Sequence, residues 1–270
     1  MTVWTDGFVQ ANGMNIHYYQ TGDSQNPSIL LLHGILDSGQ CWPVVGRDLA
    51  EKFSIVATDA RGHGHSSGPD ERGMSNEALA DDAAAVIQAL GLEQSYVFGH
   101  SMGAITAATL AARHPELIRA LILEDPPLME EMMIAMFEAS QGPGKNPWQP
   151  LIDLRTLSRE ERIARARVMN PKWMEEEIVP WADSKAEYSM DVFATSGKFL
   201  RPWREAISPL SCPILLLYGD NDQYAIVAEQ VAQDVQEFWT NCQAVHIAGA
   251  GHCIHRDKYN ETMAAVWKFL

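Results

Sequence analysis

Cysteine is scarce and unpatterned in this chain. Its four residues, Cys41, Cys212, Cys242 and Cys253, form no C-x-x-C pair and no zinc-ligand spacing. A structural zinc site is therefore not expected, and reduced thiols in a cytoplasmic protein fit best. Positive charge is also short, with 20 Lys and Arg against 35 Asp and Glu and a formal net charge of −15. Such a surface repels polyanions, so neither nucleic acid nor an anionic membrane is expected as a partner. No apolar run approaches membrane-spanning length. The opening residues Met1-Thr2-Val3-Trp4-Thr5-Asp6-Gly7 lack the basic and apolar regions of a signal peptide, which predicts a cytoplasmic location. There is no phosphate-binding G-x-x-x-x-G-K, no metal-ligand cluster, no internal repeat and no low-complexity tract. Catalysis, if present, is expected to need no cofactor and no metal. A monomer or homodimer acting on a small molecule is the expected form.

What the chain does have is apolar substance: 46% of its 270 residues are hydrophobic, enough for one large α/β domain with an insertion. Phe8–Met14 and Asn15–Gln20 read as a hairpin turning at Asn12-Gly13. Apolar runs at 28–32, 53–58, 95–98, 119–123, 213–218 and 244–248 read as buried strands. Helical segments are expected over 42–52, from an N-cap at Ser75 to Leu90, and over 104–113, 227–239 and 258–270. This alternation predicts a mostly parallel, doubly wound sheet covered on both faces. It breaks between 126 and 208, where the chain is helical and irregular. The expected organisation is a core of residues 1–125 and 209–270. A mainly helical cap, 126–208, follows the sixth strand and lies above the strand ends where ligands bind in open α/β sheets.

One pentapeptide organises the rest. Gly99-His100-Ser101-Met102-Gly103 follows the strand run Ser95-Tyr96-Val97-Phe98 and precedes an Ala- and Leu-rich helix. A serine on a sharp strand-to-helix turn is a nucleophile elbow, with glycines where side chains would strike the neighbouring strand or helix. A serine hydroxyl needs a base, usually a histidine oriented by a carboxylate that lies between the two in sequence. Of nine histidines, His252 fits: it follows Gly249-Ala250-Gly251 directly after a strand and comes late in the chain, with His255 the runner-up. For the carboxylate, Asp222 in Gly219-Asp220-Asn221-Asp222 ranks first, then Asp125 at the end of the strand after the elbow helix, then Asp220 and Glu124. The competing role for each is loop capping or a salt bridge. The oxyanion donors should be the N–H groups of Met102, just after the nucleophile, and Ile35, in the loop after His33-Gly34. Gly34 allows close backbone approach, and the His33 side chain is expected to hold the loop.

Together, His33-Gly34-x-x-Asp37-Ser38-Gly39, Asp59-x-Arg61-Gly62-x-Gly64-x-Ser66, the elbow, Gly219-x-x-Asp222 and Gly251-His252 resemble the α/β-hydrolase superfamily over nearly the whole chain outside the cap. The similarity is to the cofactor-free branch of small esterases, lactonases, carbon–carbon bond hydrolases and perhydrolases. It implies an α/β-hydrolase fold with Ser101 as nucleophile, Asp222 as acid and His252 as base. A serine at the elbow, where epoxide hydrolases and haloalkane dehalogenases carry aspartate, points away from those two groups.

Substrate selection falls to the cap, which carries Met129, Met132, Met133, Met136, Phe137, Trp148, Met169, Trp173, Met174, Trp181, Met190, Phe193 and Trp203. Singly, each is expected to glue cap to core. Together they suggest a medium-sized, partly apolar substrate, with Trp148 and Trp181 beside His33 and Gly34 as candidate contacts. Ser158-Arg159-Glu160-Glu161 reads as a capping box opening a helix whose Arg162, Arg165 and Arg167 form a solvated face rather than a carboxylate site. The expected activity is cleavage of a carboxylic ester or lactone through an acyl-enzyme. Hydrolysis of a carbon–carbon bond in a dienoic or diketone substrate is one alternative. A ligand receptor with a near-silent triad is the other.

Overall fold

The strands are β1 (Thr5–Ala11), β2 (Met14–Thr21), β3 (Ser28–Leu32), β4 (Ser54–Thr58), β5 (Ser95–His100), β6 (Ile118–Glu124), β7 (Ile214–Tyr218) and β8 (Cys242–His246). They form one sheet in the order β1-β2-β4-β3-β5-β6-β7-β8. The β1–β2 and β2–β4 pairs are antiparallel and all others parallel. This is the mostly parallel sheet expected. The computed structural model describes residues 3–92, 94–132, 134–135, 148–195, 201–208 and 210–270. Met133, Met136 and Phe137 lie outside them.

Helices α1 (Pro43–Leu49), α2 (Asn76–Ala89) and α3 (Met102–Arg113) follow β3, β4 and β5. The two-residue period of the strands decides which helix each side chain meets. Leu30, Leu32, Val97, Leu121, Leu123 and Leu216 pack with the Ala-rich faces of α2 and α3. Their neighbours Ile29, Leu31, Phe98, Ile122, Leu215 and Leu217 form the opposite core. Ser75 caps α2 by accepting the Ala78 N–H at 3.3 Å.

Between β6 and β7 the described residues form only helices: α4 (Gln149–Leu154), α5 (Arg159–Met169), α6 (Glu175–Ser184), α7 (Asp191–Thr195) and α8 (Trp203–Ala206). The Ser158 capping box at the start of α5 is present. Leu154, Ile163, Ala166, Ile178 and Trp181 give these helices a small core of their own, joined by Cys41 from below. After β7 come α9 (Glu229–Phe238), α10 (Ile254–Asp257) and α11 (Tyr259–Phe269). Among the described residues no helix is long and apolar enough to cross a membrane, and no cluster of His, Cys, Asp and Glu could hold a metal ion.

The Asp59-x-Arg61-Gly62-x-Gly64 stretch is a scaffold. Arg61 is fully buried, gripping Asp82 in a fork at 2.7 and 2.9 Å and Asp70 at 2.7 Å. Asp59 accepts the backbone N–H groups of Gly39 and His65 and faces His17 Nδ1 at 2.9 Å. A Cβ on Gly64 would sit 2.2 Å from that carboxylate, so only glycine fits. Removing one partner from a buried ion pair strands the other charge. Arg61→Ala is therefore expected to cost about 3–5 kcal/mol of unfolding free energy, read as a fall in the urea midpoint at unchanged slope.

Candidate active site

The elbow is strained as its sequence demands. Ser101 has φ 53° and ψ −117°, outside the regions an L-residue prefers, and sits between the end of β5 and the first residue of α3. Its neighbours leave no alternative to glycine. A Cβ on Gly99 would lie 2.3 Å from the Gly103 carbonyl oxygen, and one on Gly103 would lie 2.0 Å from the Leu32 oxygen. Helix and strands are packed backbone to backbone there, and the turn is over-determined.

His252 Nδ1 lies 2.6 Å from Asp125 Oδ2. That carboxylate is fully buried. It also accepts the N–H of Ile226 on Oδ2 and of Val227 on Oδ1, both at 2.8 Å. With Nδ1–H donated to the acid, the imidazole keeps Nε2 as its free acceptor. His100, the residue before Ser101, donates Nε2–H to the His252 carbonyl at 3.0 Å, which ties the His252 loop to the elbow. Burial pushes His100 down to about 3, so it stays neutral in that role.

The first-ranked carboxylate is not the one that reaches the base. Asp222 sits exposed on the short turn Asn221–Gln223, and the contact belongs to Asp125, ranked second. Two physical reasons account for the reversal. Asp125 adopts φ 43° on leaving β6, a conformation Asp tolerates better than most residues and one that belongs to a sharp turn. The corner after β7 meanwhile contributes backbone donors, Ile226 and Val227, instead of a carboxylate. Helix α9 begins at Glu229 and not at 227 because Ala228, its N-cap, is still extended with ψ 156°. Asp220 holds His246 Nε2 at 2.6 Å and the Gly249 N–H at 2.7 Å, bracing the approach to the base loop. Glu124 takes His255 instead: Nδ1 lies 2.7 Å away with both side chains fully buried. Burial works to raise the Glu124 carboxyl, but His255, His100 and the hydrogen bonds outweigh it and hold it at about 2.

On the expected oxyanion side, a Cβ on Gly34 would stand 2.8 Å from His100 Nδ1 and 3.3 Å from the Ser101 Cβ, so the absence of one lets the strand-end loop approach Ser101 this closely. Met102 opens α3, where an N–H has no intrahelical acceptor. The Ile35 N–H has no hydrogen-bond partner among the described residues. The amide that follows, Leu36 N–H, is held by His63 Nε2 at 3.1 Å.

Two of the four expected substrate contacts are used structurally. His33 donates Nδ1–H to the Gly34 carbonyl at 2.7 Å and accepts the Ala60 N–H on Nε2 at 3.0 Å, leaving the ring no free position. Trp181 is buried in the core of the inserted helices because its indole packs among Ile163 and Ile178. Trp148 is half-buried against an apolar cluster containing Leu36, Met74, Met102 and Tyr188, with Ile35 packed alongside. The arginines of α5 are mostly engaged: Arg162 donates to the Leu157 carbonyl and Arg167 pairs with Glu175, while Arg165 is exposed.

A family model described as the alpha/beta hydrolase fold matches residues 27–150. The chain is 26% identical to an esterase/lipase of Haemophilus influenzae, over 95% of this chain and 88% of that one. It is also 26% identical to the N-formylmaleamate deformylase of Pseudomonas putida KT2440, over 98% and 96%. Among solved structures, the N-formylmaleamic acid deformylase of Pseudomonas putida S16 superposes with a TM-score of 0.79 at 25% identity, covering 97% of this chain and all of that one.

Proposed function

Because this chain belongs to the α/β-hydrolase superfamily, with esterases, lipases and other hydrolases as its relatives, we propose that it is a serine hydrolase of carboxylic esters or lactones, with Ser101, His252 and Asp125 as its triad. The observation that carries this reading is the short contact between His252 Nδ1 and the buried Asp125 carboxylate, with the His252 backbone bonded to His100, the residue preceding the strained Ser101. In the proposed cycle His252 Nε2 takes the Ser101 proton as Oγ attacks the acyl carbon. The N–H groups of Ile35 and Met102 receive the negative charge on the carbonyl oxygen, and His252 passes its proton to the leaving alcohol. Water, deprotonated by the same imidazole, then releases the acid and frees Ser101.

The substrate class follows from what surrounds the two proposed donors. Leu36, Met74, Met102, Tyr188 and Trp148 make an apolar neighbourhood that favours a medium-sized, partly apolar acyl or alcohol group. The inserted helices are proposed as the cap that supplies part of this wall. A second reading is hydrolysis of a small amide or formamide, favoured by the two deformylases among the comparisons.

A panel of short aryl esters, lactones and formamides, assayed beside labelling with a fluorophosphonate, tests both. The serine oxygen displaces fluoride at phosphorus, so the adduct's mass should appear on the peptide containing Ser101. Aryl esters or lactones should turn over at least about tenfold faster by kcat/KM than formamides, a difference of about 1.4 kcal/mol in transition-state binding. The reverse order would favour the second reading. Ligand-induced thermal stabilisation without multiple turnover would mark a receptor and defeat both.

A further inference from the structure

The loop that carries Ile35 is a tight turn in which the Asp37 N–H bonds the Gly34 carbonyl at 3.1 Å. Its third residue, Leu36, has φ 64°. That is the left-handed position of a type II turn, which glycine ordinarily fills and a leucine disfavours. Something must hold a branched side chain there. His63 does so from the core, on the Leu36 N–H.

The Leu36 carbonyl is held from the other side by residues that leave α6. Lys185 Nζ donates to it at 2.9 Å, and Ser184 Oγ, which also lies 2.8 Å from the Trp181 carbonyl, is 3.1 Å from the same oxygen. The ammonium is almost wholly buried, an unusual place for lysine. It also donates to Asp37 Oδ1 at 2.5 Å and to Ser184 Oγ at 3.2 Å, and lies 4.4 Å from the centre of the Trp181 ring. Asp37 is balanced on its other oxygen by Arg256 at 3.0 Å, and Arg256 in turn by Glu177 at 3.4 Å. Asp37 thus keeps a cation without Lys185. Among the charged groups of the described residues, Lys185 alone bonds the strained residue next to the proposed oxyanion donor.

Resting on the assignment of Ser101 and Ile35 above, we propose that Lys185 is a positioning residue for the oxyanion hole. From the inserted helices it grips the Leu36 carbonyl and so aims the Ile35 N–H at the nucleophile. The hole is then complete only when those helices are seated on the core, and the wall that selects the substrate also readies the site to stabilise charge.

The test uses Lys185→Met, which keeps the stem and removes the donor, and Ser184→Ala, which removes a neutral hydroxyl and is easily accommodated. Each is assayed on an aryl ester and titrated with an aliphatic trifluoromethyl ketone, which forms a tetrahedral adduct with a catalytic serine. For Lys185→Met, kcat is expected to fall about 100-fold, the usual effect of misplacing a catalytic group by about 1 Å. KM should stay within about threefold, and affinity for the ketone should fall in parallel with kcat/KM, as loss of a transition-state interaction requires. Ser184→Ala should follow the same line at about fivefold. Folded Lys185→Met with wild-type kcat and ketone affinity would overturn the proposal, as would a fall in kcat with ketone affinity unchanged. If Lys185→Met does not fold, Ser184→Ala decides by the same criterion. Failure of the wild-type enzyme to bind the ketone and to take the fluorophosphonate at Ser101 would instead remove the triad reading, and this inference with it.

Discussion

Ser101→Ala is expected to lower kcat by about 10⁶-fold while leaving the far-ultraviolet spectrum unchanged, the scale on which removing a triad nucleophile acts. The loss is large because the serine and histidine work as a unit, and without Oγ there is nothing for His252 to deprotonate. Stability separates this substitution from a second one at the same site. Alanine is as ill suited as serine to φ 53°, whereas glycine adopts it freely. Ser101→Gly should therefore be about 1 kcal/mol more stable than Ser101→Ala, seen as a higher melting temperature, and equally inactive. Retained turnover in either variant would show that the nucleophile lies elsewhere. Equal stability would show that the elbow stores no strain.

The second large effect is expected at Asp125. Asp125→Asn should reduce kcat by about 10⁴-fold, because an amide cannot enforce the imidazole tautomer that leaves Nε2 free to accept the serine proton. It should also destabilise the protein, since both carboxylate oxygens accept hydrogen bonds in a fully buried position. An asparagine offers one oxygen and sets its NH₂ against a backbone N–H, a cost of about 1–3 kcal/mol. Asp222→Asn, on the exposed turn, should stay within about twofold of wild type in kcat, since surface substitutions away from structural features are nearly neutral. Comparing the two variants at one pH settles the acid. A greater loss at Asp222 would return that role to the turn after β7.

Much of this architecture was legible in the residues. Buried strands announce themselves as short apolar runs, and the elbow could be recognised because Ser101 stands between such a run and an alanine-rich helix. His252 could be found by its order in the chain and its glycine-rich loop. The carboxylate was harder for a specific reason. Glu124, Asp125, Asp220 and Asp222 all follow buried strands, and which one faces the base depends on turn geometry that residue types do not state. The φ of Asp125 and the two amides that hold its side chain, from Ile226 and Val227, are contacts across about a hundred positions. One signal was nonetheless present. Strand β6 lies directly beside β5, with His100 opposite Glu124, so the residue after β6 leaves the sheet next to the nucleophile. Periodicity also failed at the edges. The last strand spans Cys242–His246 rather than 244–248, because it is the edge strand of the sheet and is only partly buried along its length, which blurs its apolar signal. The terminal helix, by contrast, runs Tyr259–Phe269 within the expected 258–270, preceded by the short α10 that periodicity did not show. The roles of His33 and Trp181 were obscured by a common ambiguity: the same side chains that could meet a substrate are equally good at holding a loop or filling a core.

The end of β6 clasps the base loop twice. Asp125, in the turn that leaves the strand, takes His252 while Glu124, the strand's last residue, takes His255, across 127 and 131 positions of chain. During synthesis from the N-terminus, the elbow, the turn bearing Ile35 and both carboxylates emerge long before either histidine. The growing polypeptide therefore holds an unpaired Glu124-Asp125 corner until the segment carrying His252 and His255 leaves the ribosome and docks. Loop closure over such spans is slow compared with local helix formation. Competence of the proposed triad therefore waits for that segment, and a nascent chain with most of its sheet formed is still expected to be chemically inert. The acyl-transfer chemistry proposed here switches on when that segment docks, with no separate inhibitor needed to keep it quiet beforehand.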